Sequence, residues 1–598
     1  MKLKSYFSLF ILCFCAFQLQ AQDQKKKIEI VDGRNFHKDE EKFPGASIFN
    51  GDTKQVQFRH EGIDVWCDIA VYYQKENFIQ ASGHVYLQQG DSVKMNCNYI
   101  EYEGNTKLAI AEEDVVLRSK NMKLETQKLY FNRTLQQCYY NSFGTVTDPE
   151  NVLTSNSGKY YIETEKFQFR KNVHLVNKDF VLDSDELDYY ERSKHAYLYG
   201  PSTVNGQDYV FYCERGFYDT TVEKGYGVKN TQIDYDQRII NGDSVYFDKP
   251  REFAAATNNI KITDTVNNGL IKGHYGEVWK AKDSMFVTKK AVAINVVEND
   301  SVYIHGDTLM LTGKENERII KAFRNAKFYK SDLAGKCDSI HSSQVTGITQ
   351  FIRRIPKNTP ERDHFKYNPV LWNGGSQMTG DSIHLISNTK QEKLDSLKVM
   401  NNAFIIERDT IGEGYNQVKG KNLYGLFNDD NKLYKIDIIK NTESLYYVYD
   451  KQEFVGIDKA ICSRIEIEME NNAISSITNY IDTESTIHRD EDLPKNARKL
   501  PGFYWRGDEQ IFTKDDIFDE DDLNVELVKI RGIDSPISID MEEMGRTSTV
   551  PEEGTELDYE KVEKQEKQEH PNKKPTAPNL RPTLNLLPNR TQQLPTAP

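Results

Sequence analysis

A short motif recurs along the chain: an aspartate, a hydroxyl residue and an apolar residue, followed by a run of alternating polar and apolar residues. Its copies are Asp91-Ser92-Val93, Asp243-Ser244-Val245, Asp283-Ser284-Met285, Asp300-Ser301-Val302, Asp307-Thr308-Leu309, Asp381-Ser382-Ile383 and Asp395-Ser396-Leu397. Aspartate and serine favour turns, and the alternation favours strands, so each copy predicts a turn that leads into a strand. The spacing of the copies is irregular, which predicts a divergent, stacked β architecture rather than an enzyme core.

The segments between the turns alternate with a period of two residues. Three examples carry this interpretation: Val93 to Tyr99; Ile465, Ile467 and Met469 set against Arg464, Glu466 and Glu468; and Tyr434, Ile436 and Ile438 set against Lys435 and Asp437. This period is typical of strands with one buried and one solvated face. Almost no stretch of ten residues shows a helical stripe, so we predict an all-β fold.

The N-terminus predicts export. Lys2 and Lys4 precede an apolar run from Tyr6 to Phe17 that is too short to span a bilayer, and Ala21 provides a small residue for cleavage. We therefore expect a signal peptide over residues 1–21 and no transmembrane helix in the mature chain. The net charge of −14, without a basic stripe, argues against nucleic acid as a partner.

Motifs for chemistry are missing from the sequence. Gly313-Lys314 lacks the spacing of a phosphate loop, and neither an HExxH nor a Gly-x-Ser-x-Gly motif occurs. The aspartates at 183, 185 and 188 and the acidic run at 515–522 lack the pattern of a calcium loop, so a solvated face is the preferred interpretation. We predict no catalytic residue, no metal, no cofactor and no enzyme, although a pair of carboxylates that meets only in the fold stays open.

The cysteines and the C-terminal tail complete the compositional picture. The six cysteines after the signal peptide are scattered without a CxxC pair, so burial as free thiols is favoured and an occasional disulfide stays open. Beyond about Ser535 the chain is rich in Glu, Lys, Pro, Gln and Thr. Such a segment cannot bury enough apolar surface to offset its ordering entropy, so we predict a disordered tail over residues 535–598.

The run from Phe78 to Tyr102, FIQASGHVYLQQGDSVKMNCNYIEY, carries a resemblance to a known family. Val173 to Leu175, followed by Phe180 to Tyr190, looks like a second copy, and residues 242–480 look like further, more divergent copies. In these residues the chain resembles the OstA-like (organic solvent tolerance) family. That family includes the periplasmic lipopolysaccharide-transport bridge protein and the N-terminal periplasmic domain of the outer-membrane lipopolysaccharide assembly protein.

The resemblance implies an open β-jellyroll, or β-taco, in which two antiparallel sheets enclose an apolar trough. It also implies a periplasmic protein, outer-membrane association being left open, that carries lipopolysaccharide acyl chains between the inner and outer membranes and contributes to outer-membrane assembly. The implied partners are lipopolysaccharide, other transport components with the same jellyroll, and further copies of the chain. We expect OstA-like modules at 22–240 and 241–480, followed by a C-terminal cap at 481–534.

The lipid-trough candidates are four apolar residues of the first module: Val85, Leu87, Val93 and Met95. They alternate with His84, Tyr86 and Lys94, so one strand face would hold the acyl chains and the other would meet water. The alternative is a structural or carbohydrate-associated β-helix protein of the periplasm or cell surface. The two hypotheses differ in the interior, which is apolar but open in a trough and closed in a β-helix.

Overall fold

The computed structural model describes residues 26–91, 93–235, 237–266, 269–295, 301–314, 316–389 and 393–524. Contacts group the chain into two compact units that meet in sequence at Lys178 and Asp179. In the described residues, unit 1 is therefore 26–178 and unit 2 is 179–524. The predicted signal peptide and the predicted tail lie outside the described residues.

Unit 1 is built from antiparallel strands. They are β1 (Glu29–Asp32), β2 (Asn35–His37), β3 (Ser47–Asn50), β4 (Val56–His60), β5 (Ile63–Cys67), β6 (Ile69–Tyr73), β7 (Phe78–Gln89), β8 (Val93–Glu103), β9 (Leu108–Ser119), β10 (Met122–Asn132), β11 (Gln137–Tyr140), β12 (Gly144–Thr147), β13 (Asn151–Ser155), β14 (Ser157–Tyr161) and β15 (Lys166–Asn177). Each long strand pairs with its sequence neighbours, as in β7 with β8 and β8 with β9.

Left-handed residues bend the long strands β7, β9 and β15 in the middle. In β7 the bend lies at Gly83 and His84, with φ of 77° and 43°, and in β9 it lies at Glu113 and Asp114, with φ of 66° and 53°. The register between β7 and β8 shifts at the same place, between Ser82 and Val85. Only glycine adopts such angles freely, so each bend is a built irregularity of the kind that re-aims a strand.

The bends divide unit 1 into two walls. Wall A contains residues 69–73, 78–82, 99–103, 108–112, 128–132, 137–140, 157–161 and 166–170. Wall B contains residues 56–60, 63–67, 85–89, 93–97, 115–119, 122–126, 144–147, 151–155 and 173–177. Within each wall, neighbouring segments pair antiparallel.

Wall A ends in a ladder of turns at the edge away from the bends. Asn77, Lys107, Gln136 and Glu165 each hold a left-handed angle in one of these turns and follow one another at 30, 29 and 29 residues. Backbone hydrogen bonds join successive turns, from Gly104 N to the Asn77 carbonyl at 2.8 Å and from Arg133 N to the Lys107 carbonyl at 3.1 Å. Unit 1 is therefore a stack with a repeat of about 29 residues, a length within the range of solenoid repeats.

Unit 2 continues the same kind of strand, with six 3₁₀ helices among its described residues. Its strands are β16 (Phe180–Tyr190), β17 (His195–Gly206), β18 (Tyr209–Asp219), β19 (Lys224–Lys229), β20 (Thr231–Tyr235), β21 (Arg238–Gly242), β22 (Ser244–Asp248), β23 (Phe253–Asp264), β24 (Gly269–Trp279), β25 (Ser284–Asn295), β26 (Val302–Thr312), β27 (Ile319–Lys330), β28 (Leu333–Ser343), β29 (Ile348–Ile352), β30 (Val370–Asn373), β31 (Ser376–Thr379), β32 (Ser382–Asn388), β33 (Lys393–Arg408), β34 (Tyr415–Phe427), β35 (Leu433–Asp450), β36 (Glu453–Glu470), β37 (Ala473–Tyr480) and β38 (Glu484–His488). The 3₁₀ helices are Lys249–Arg251, Lys280–Lys282, Glu361–Tyr367, Lys495–Arg498, Gly507–Glu509 and Asp522–Asn524.

Residues 489–524, here called the strap, follow the last strand of unit 2 and lie across its sheet. Leu493 and Leu500 pack with Phe404, Ile406, Leu445 and Ile457. Further along, Ile511 and Ile517 pack with Val292, Ala334, Val370 and Trp372. The strap therefore adds a layer over the part of the sheet that contains strands from β25 to β36.

The all-β prediction is confirmed, with corrections at single positions. Asp307 and Asp395 lie inside β26 and β33, so the prediction that these two triplets mark a turn is wrong. The prediction that Tyr434 is buried with Ile436 is also wrong, because a register shift between β34 and β35 skips Tyr434 and leaves it 43% exposed. The division into modules stays a prediction, and its cut between 240 and 241 lies inside β21.

Candidate functional site

The four predicted trough residues lie together on wall B of unit 1. Val85 and Leu87 belong to β7, Val93 and Met95 belong to β8, and their exposures are only 1%, 1%, 2% and 0%. Leu87 lies directly opposite Met95 in the ladder, and Val85 lies opposite Cys97. The predicted alternation is present, since His84 and Lys94 are exposed and Tyr86 is half-buried.

Leu87 and Met95 belong to a longer line of buried residues, here called the apolar row. Each member is the register partner of the next, across nine strand segments of wall B: Phe58, Val65, Leu87, Met95, Leu117, Leu124, Val146, Leu153 and Leu175. None is more than 6% exposed. Partners on one face of an antiparallel ladder lie about 4.5–5.5 Å apart, so the row is a continuous apolar strip.

Sequence reasoning found only two members of the row, although a signal for the others was present. The row consists of two interleaved series. The first begins at Phe58 and continues at residues 87, 117, 146 and 175. The second begins at Val65 and continues at residues 95, 124 and 153. Both series therefore advance by 29 or 30 residues, which is the period of the turn ladder. A search for that period, rather than for the aspartate triplet, would have found them.

Wall A contributes a second buried surface in which large and small side chains alternate. Along one row, Tyr102, Ala109, Phe131, Cys138 and Tyr160 are successive register partners, and all are buried. Farther along, the Tyr160 and Phe167 rings stack with their centroids 4.2 Å apart. Alternating sizes let two facing surfaces interdigitate at the density of a protein core.

Tyr140 connects the two walls directly. Its hydroxyl lies 2.7 Å from the Ser155 hydroxyl, which joins wall A to wall B. A Cβ on Gly144 or Gly158 would lie 2.5 or 2.6 Å from the Tyr140 ring, so both positions require glycine. The interior is therefore closed at this level.

A polar network links the walls at the N-terminal end of unit 1. The Tyr102 hydroxyl lies 2.6 Å from His60 Nδ1, and His60 Nε2 lies 3.0 Å from the Lys26 carbonyl. Since a carbonyl can only accept, Nε2 carries the proton, and Nδ1 accepts from the Tyr102 hydroxyl. Burial lowers the pKa of His60, which favours this neutral form.

Arg133 completes this network, here called the His60 network. Its Nη1 donates to the Tyr102 hydroxyl oxygen at 2.9 Å, and its Nη2 donates to the Glu61 carbonyl at 2.8 Å. The guanidinium thus joins a turn of wall A to the end of β4 in wall B. Buried and charge-assisted, these hydrogen bonds are of the stronger kind.

Three side-chain contacts, here called the seam, join the wall edges that lie away from the bends. Lys107 Nζ is 2.6 Å from Glu61 Oε2, Gln89 Nε2 donates to Gln136 Oε1 at 3.0 Å, and Lys120 Nζ is 2.5 Å from Glu165 Oε1. In each contact, one partner lies in a turn at the edge of wall A, and the other lies at the edge of wall B that is away from the bends. The hydrogen bond from Lys107 lowers the pKa of Glu61.

Buried cysteines contribute to the interior. The six cysteines from Cys67 to Cys462 are buried and free, which confirms the interpretation of simple burial. Burial raises the pKa of Cys67 and Cys97 to about 12, so neither is a thiolate near neutral pH. In the part of the chain that the structure describes, no group of three or more His, Cys, Asp or Glu residues could hold a metal ion.

The fold and the site define a two-walled, antiparallel β structure around an apolar interior. Residues 25–185 match the family model described as OstA-like protein, so the chain carries an OstA-like domain there, as the resemblance predicted. No curated protein matches the chain at a significant level. Among the residues that the structure describes, no helix is long and apolar enough to cross a membrane.

Among solved structures, the chain is similar to LptH from Pseudomonas aeruginosa. LptH is described as the LptA homologous periplasmic component of the conserved lipopolysaccharide transport device. The alignment has 13% identity and a TM-score of 0.13, and it covers 23% of this chain and 81% of LptH.

Proposed function

We propose that unit 1 binds the acyl chains of lipopolysaccharide between its walls. In this proposal the chain works in the periplasm, carries the lipid between the inner and outer membranes, and contributes to outer-membrane assembly with components of the same fold. The observation that carries the proposal is the apolar row, which crosses nine strand segments without a polar member. The OstA-like domain covers the same residues.

The physical chemistry of the row supports a lipid ligand. Eight steps of about 4.8 Å between neighbouring strands make a strip of roughly 38 Å, which is longer than one extended acyl chain. Each buried methylene contributes about 0.8 kcal/mol, so a row of this length can hold an acyl chain by burial alone. The net charge of −14 fits a ligand that is held by its chains rather than by its phosphates.

The closed interior favours a second candidate function. The four predicted residues are at most 2% exposed, and Tyr140 joins the walls, so acyl chains fit only if the walls part. A protein whose walls never part would be a structural or carbohydrate-associated β protein of the periplasm or cell surface. The two functions therefore differ in whether the interior opens.

Photo-crosslinking in cells tests the proposal. A photo-reactive residue at Leu87 or Met95, on the apolar row, should capture lipopolysaccharide, whereas the same residue at Lys94 on the opposite strand face should not. Equal labelling at Lys94 and Met95 would contradict an interior site. Binding should also depend only weakly on salt, because burial of apolar surface is not screened. Strong loss of binding at high salt would favour the structural function.

A further inference from the structure

The end of the strap lies on a buried histidine of unit 2. His305 belongs to β26 and Asp522 begins the 3₁₀ helix Asp522–Asn524, and their side chains are 0% and 4% exposed. The atoms His305 Nε2 and Asp522 Oδ2 are 3.4 Å apart. The Phe518 ring packs edge-on against the imidazole, with the ring centroids 5.3 Å apart. The strap therefore ends against a titratable side chain that is shielded from water.

The hydrogen bonds around His305 decide what its contact with Asp522 requires. Nδ1 lies 2.7 Å from the Ala291 carbonyl, and a carbonyl only accepts, so Nδ1 carries a proton. In the neutral imidazole Nε2 is then a lone pair, which repels an ionised carboxylate. The contact is attractive only when one further proton lies on Nε2 or on the carboxyl group. The strap's own turn fixes the facing oxygen, because Asp522 Oδ2 accepts from Asp519 N at 2.9 Å.

Other charged side chains lie around the end of the strap: Lys290 on β25, Asp307 on β26, Arg324 and Lys327 on β27, and Asp519 in the strap itself. Asp307 Oδ2 lies 3.0 Å from Arg324 Nε, and Asp519 Oδ1 lies 2.7 Å from Lys327 Nζ. Each of these carboxylates therefore has its own cation. Burial raises the pKa of Asp307, which makes this carboxyl the competing titratable group. The cation that faces the buried carboxylate of the strap is the imidazolium.

We propose that His305 and Asp522 form a proton-dependent latch for the end of the strap. With the shared proton in place, the pair holds the strap end against β25 and β26. When the proton leaves, a lone pair and a buried carboxylate face each other, and the strap end detaches into water. The latch is therefore closed at low pH and opens as the pH rises. Detachment uncovers part of the apolar cluster under the strap, which includes Ile294 and Tyr303. The latch belongs to unit 2 and does not depend on lipid binding by unit 1.

Hydrogen exchange of the full chain, measured by mass spectrometry, tests the latch. Protection of the peptide that covers residues 517–524 is compared at about pH 5 and about pH 8, the range in which histidine ordinarily changes its charge. The rates are corrected for the intrinsic pH dependence of amide exchange. In the wild type we expect protection of this peptide to fall about tenfold at the higher pH, while the peptide that covers residues 493–505 keeps its protection. Equal protection of residues 517–524 at both pH values would overturn the latch.

Two variants separate the shared proton from the packing around it. In His305→Gln an amide nitrogen can donate to Asp522 at either pH, and in Asp522→Asn an amide nitrogen can donate to the neutral imidazole. We expect both variants to keep the strap end protected at the higher pH. His384→Gln is the matched control, because His384 faces Gln350 on a neighbouring strand, and it should retain the wild-type pH dependence. If only one of the two latch variants folds, that variant decides.

Two results would overturn the proposal. A pH dependence that survives in the latch variants would assign the change to another group, of which Asp307 is the first candidate. Loss of protection at both pH values in these variants would show that the pair contributes packing alone.

Discussion

Units 1 and 2 use the same bent strands, but they cover the second face of their sheets differently. In unit 1, β8 begins with a strict alternation of buried and exposed residues from Val93 to Asn98. In unit 2, β30 is buried at all four residues and β33 is buried on both faces from Ala403 to Ile406. The strap supplies the extra layer. In the described parts of the two units, the same kind of bent strand therefore builds a two-walled body in unit 1 and a body with a third layer in unit 2.

The outer faces show why the two units need different covers. The outer surface of wall A in unit 1 carries cross-strand pairs, such as Glu112 with Lys128 at 2.9 Å and Tyr130 stacked on Tyr139 with their ring centroids 4.6 Å apart. The corresponding surface of unit 2 carries Phe404 and Trp372, which must be removed from water. An apolar outer face requires a further layer, which the strap provides in unit 2.

Two buried glutamines hold the strap by its backbone. Gln417 donates to the Arg498 carbonyl at 2.9 Å and accepts from Leu500 N at 2.8 Å. Six residues farther along the strap, the pattern repeats with Gln377. It donates to the Tyr504 carbonyl at 2.8 Å and accepts from Arg506 N at 2.7 Å. Each amide thus pairs with the strap as a neighbouring strand would, which satisfies backbone groups that the irregular strap leaves open.

The largest expected effect comes from a charge beneath the strap. Ile517→Asp places a carboxylate at a residue that is 0% exposed and packs with Trp372 and Val292. We expect the free energy of unfolding to fall by about 3–5 kcal/mol, measured by denaturation with tryptophan fluorescence. Phe512→Asp is the control, because Phe512 is 68% exposed. Equal losses in both variants would mean that the strap does not cover the sheet, and the comparison would fail.

The interior of unit 1 is tested by Met95→Ala. Met95 is 0% exposed, so its truncation leaves a cavity and should lower the free energy of unfolding by about 2–4 kcal/mol. Lys94→Ala, on the exposed face of the same strand, should change it by less than about 0.5 kcal/mol. A loss near zero for Met95→Ala would show an interior that water already fills, as in a trough that stands open.

The glutamine anchors should have a smaller effect. Gln417→Ala leaves the Arg498 carbonyl and Leu500 N without their partner, which should lower the free energy of unfolding by about 1–3 kcal/mol. Gln510→Ala is the matched control, since Gln510 donates one exposed hydrogen bond to the Gly374 carbonyl. Hydrogen exchange at Leu500 N should quicken only in the first variant. Unchanged exchange there would mean that packing alone holds the strap.

The sequence predicted those features that depend on nearest neighbours. Alternation placed Ile467 and Met95 on buried faces, because a strand's side-chain period of two is local. The bend in β9 escaped prediction, since Glu113 does not favour a left-handed angle and Asp114 alone is too weak a signal inside a strand. The prediction for Tyr434 was wrong for a related reason. A register shift turns a side chain to the other face of the sheet without any change in the local composition.

The candidate site was predicted only in part because its extent is non-local. Val85, Leu87, Val93 and Met95 could be found from one hairpin, whereas Leu124 and Leu153 join the row only through the stacking of repeats. The seam is less predictable still, since the partners Lys120 and Glu165 are 45 residues apart and neither is unusual in its own turn. The position of the strap could not be predicted from the sequence, because its partner Gln377 lies far away along the chain.

Acidification should act on the His60 network. The pKa of His60 is lowered by burial, so its contribution to stability is fully present above the ordinary histidine pKa of about 6.5 and is lost as pH falls through the lowered value. We expect the amides of Tyr102 and Arg133 to be less protected from hydrogen exchange at pH 5 than at pH 7, after the rates are corrected for the intrinsic pH dependence of amide exchange. His60→Gln should remove this pH dependence, and His84→Gln, at an exposed histidine, should retain it. If His60→Gln keeps the dependence, another group controls this end of unit 1.

The smallest effect on stability should come from the seam, because its ion pairs are partly exposed. Lys107→Met with Glu61→Gln removes one partly exposed ion pair, so the free energy of unfolding should fall by less than about 1 kcal/mol. Lys419→Met in unit 2, which breaks the pair with Glu443 between two neighbouring strands, should cost about as little. If the walls part when acyl chains enter, the two variants should differ in lipid uptake, because the first pair lies between two walls and the second lies between neighbouring strands of one sheet. Faster capture of lipopolysaccharide by the seam variant alone would sharpen the contrast between a unit that opens and a unit that is tied. A loss of several kcal/mol at the seam would instead make it a structural joint and favour a body whose walls stay closed.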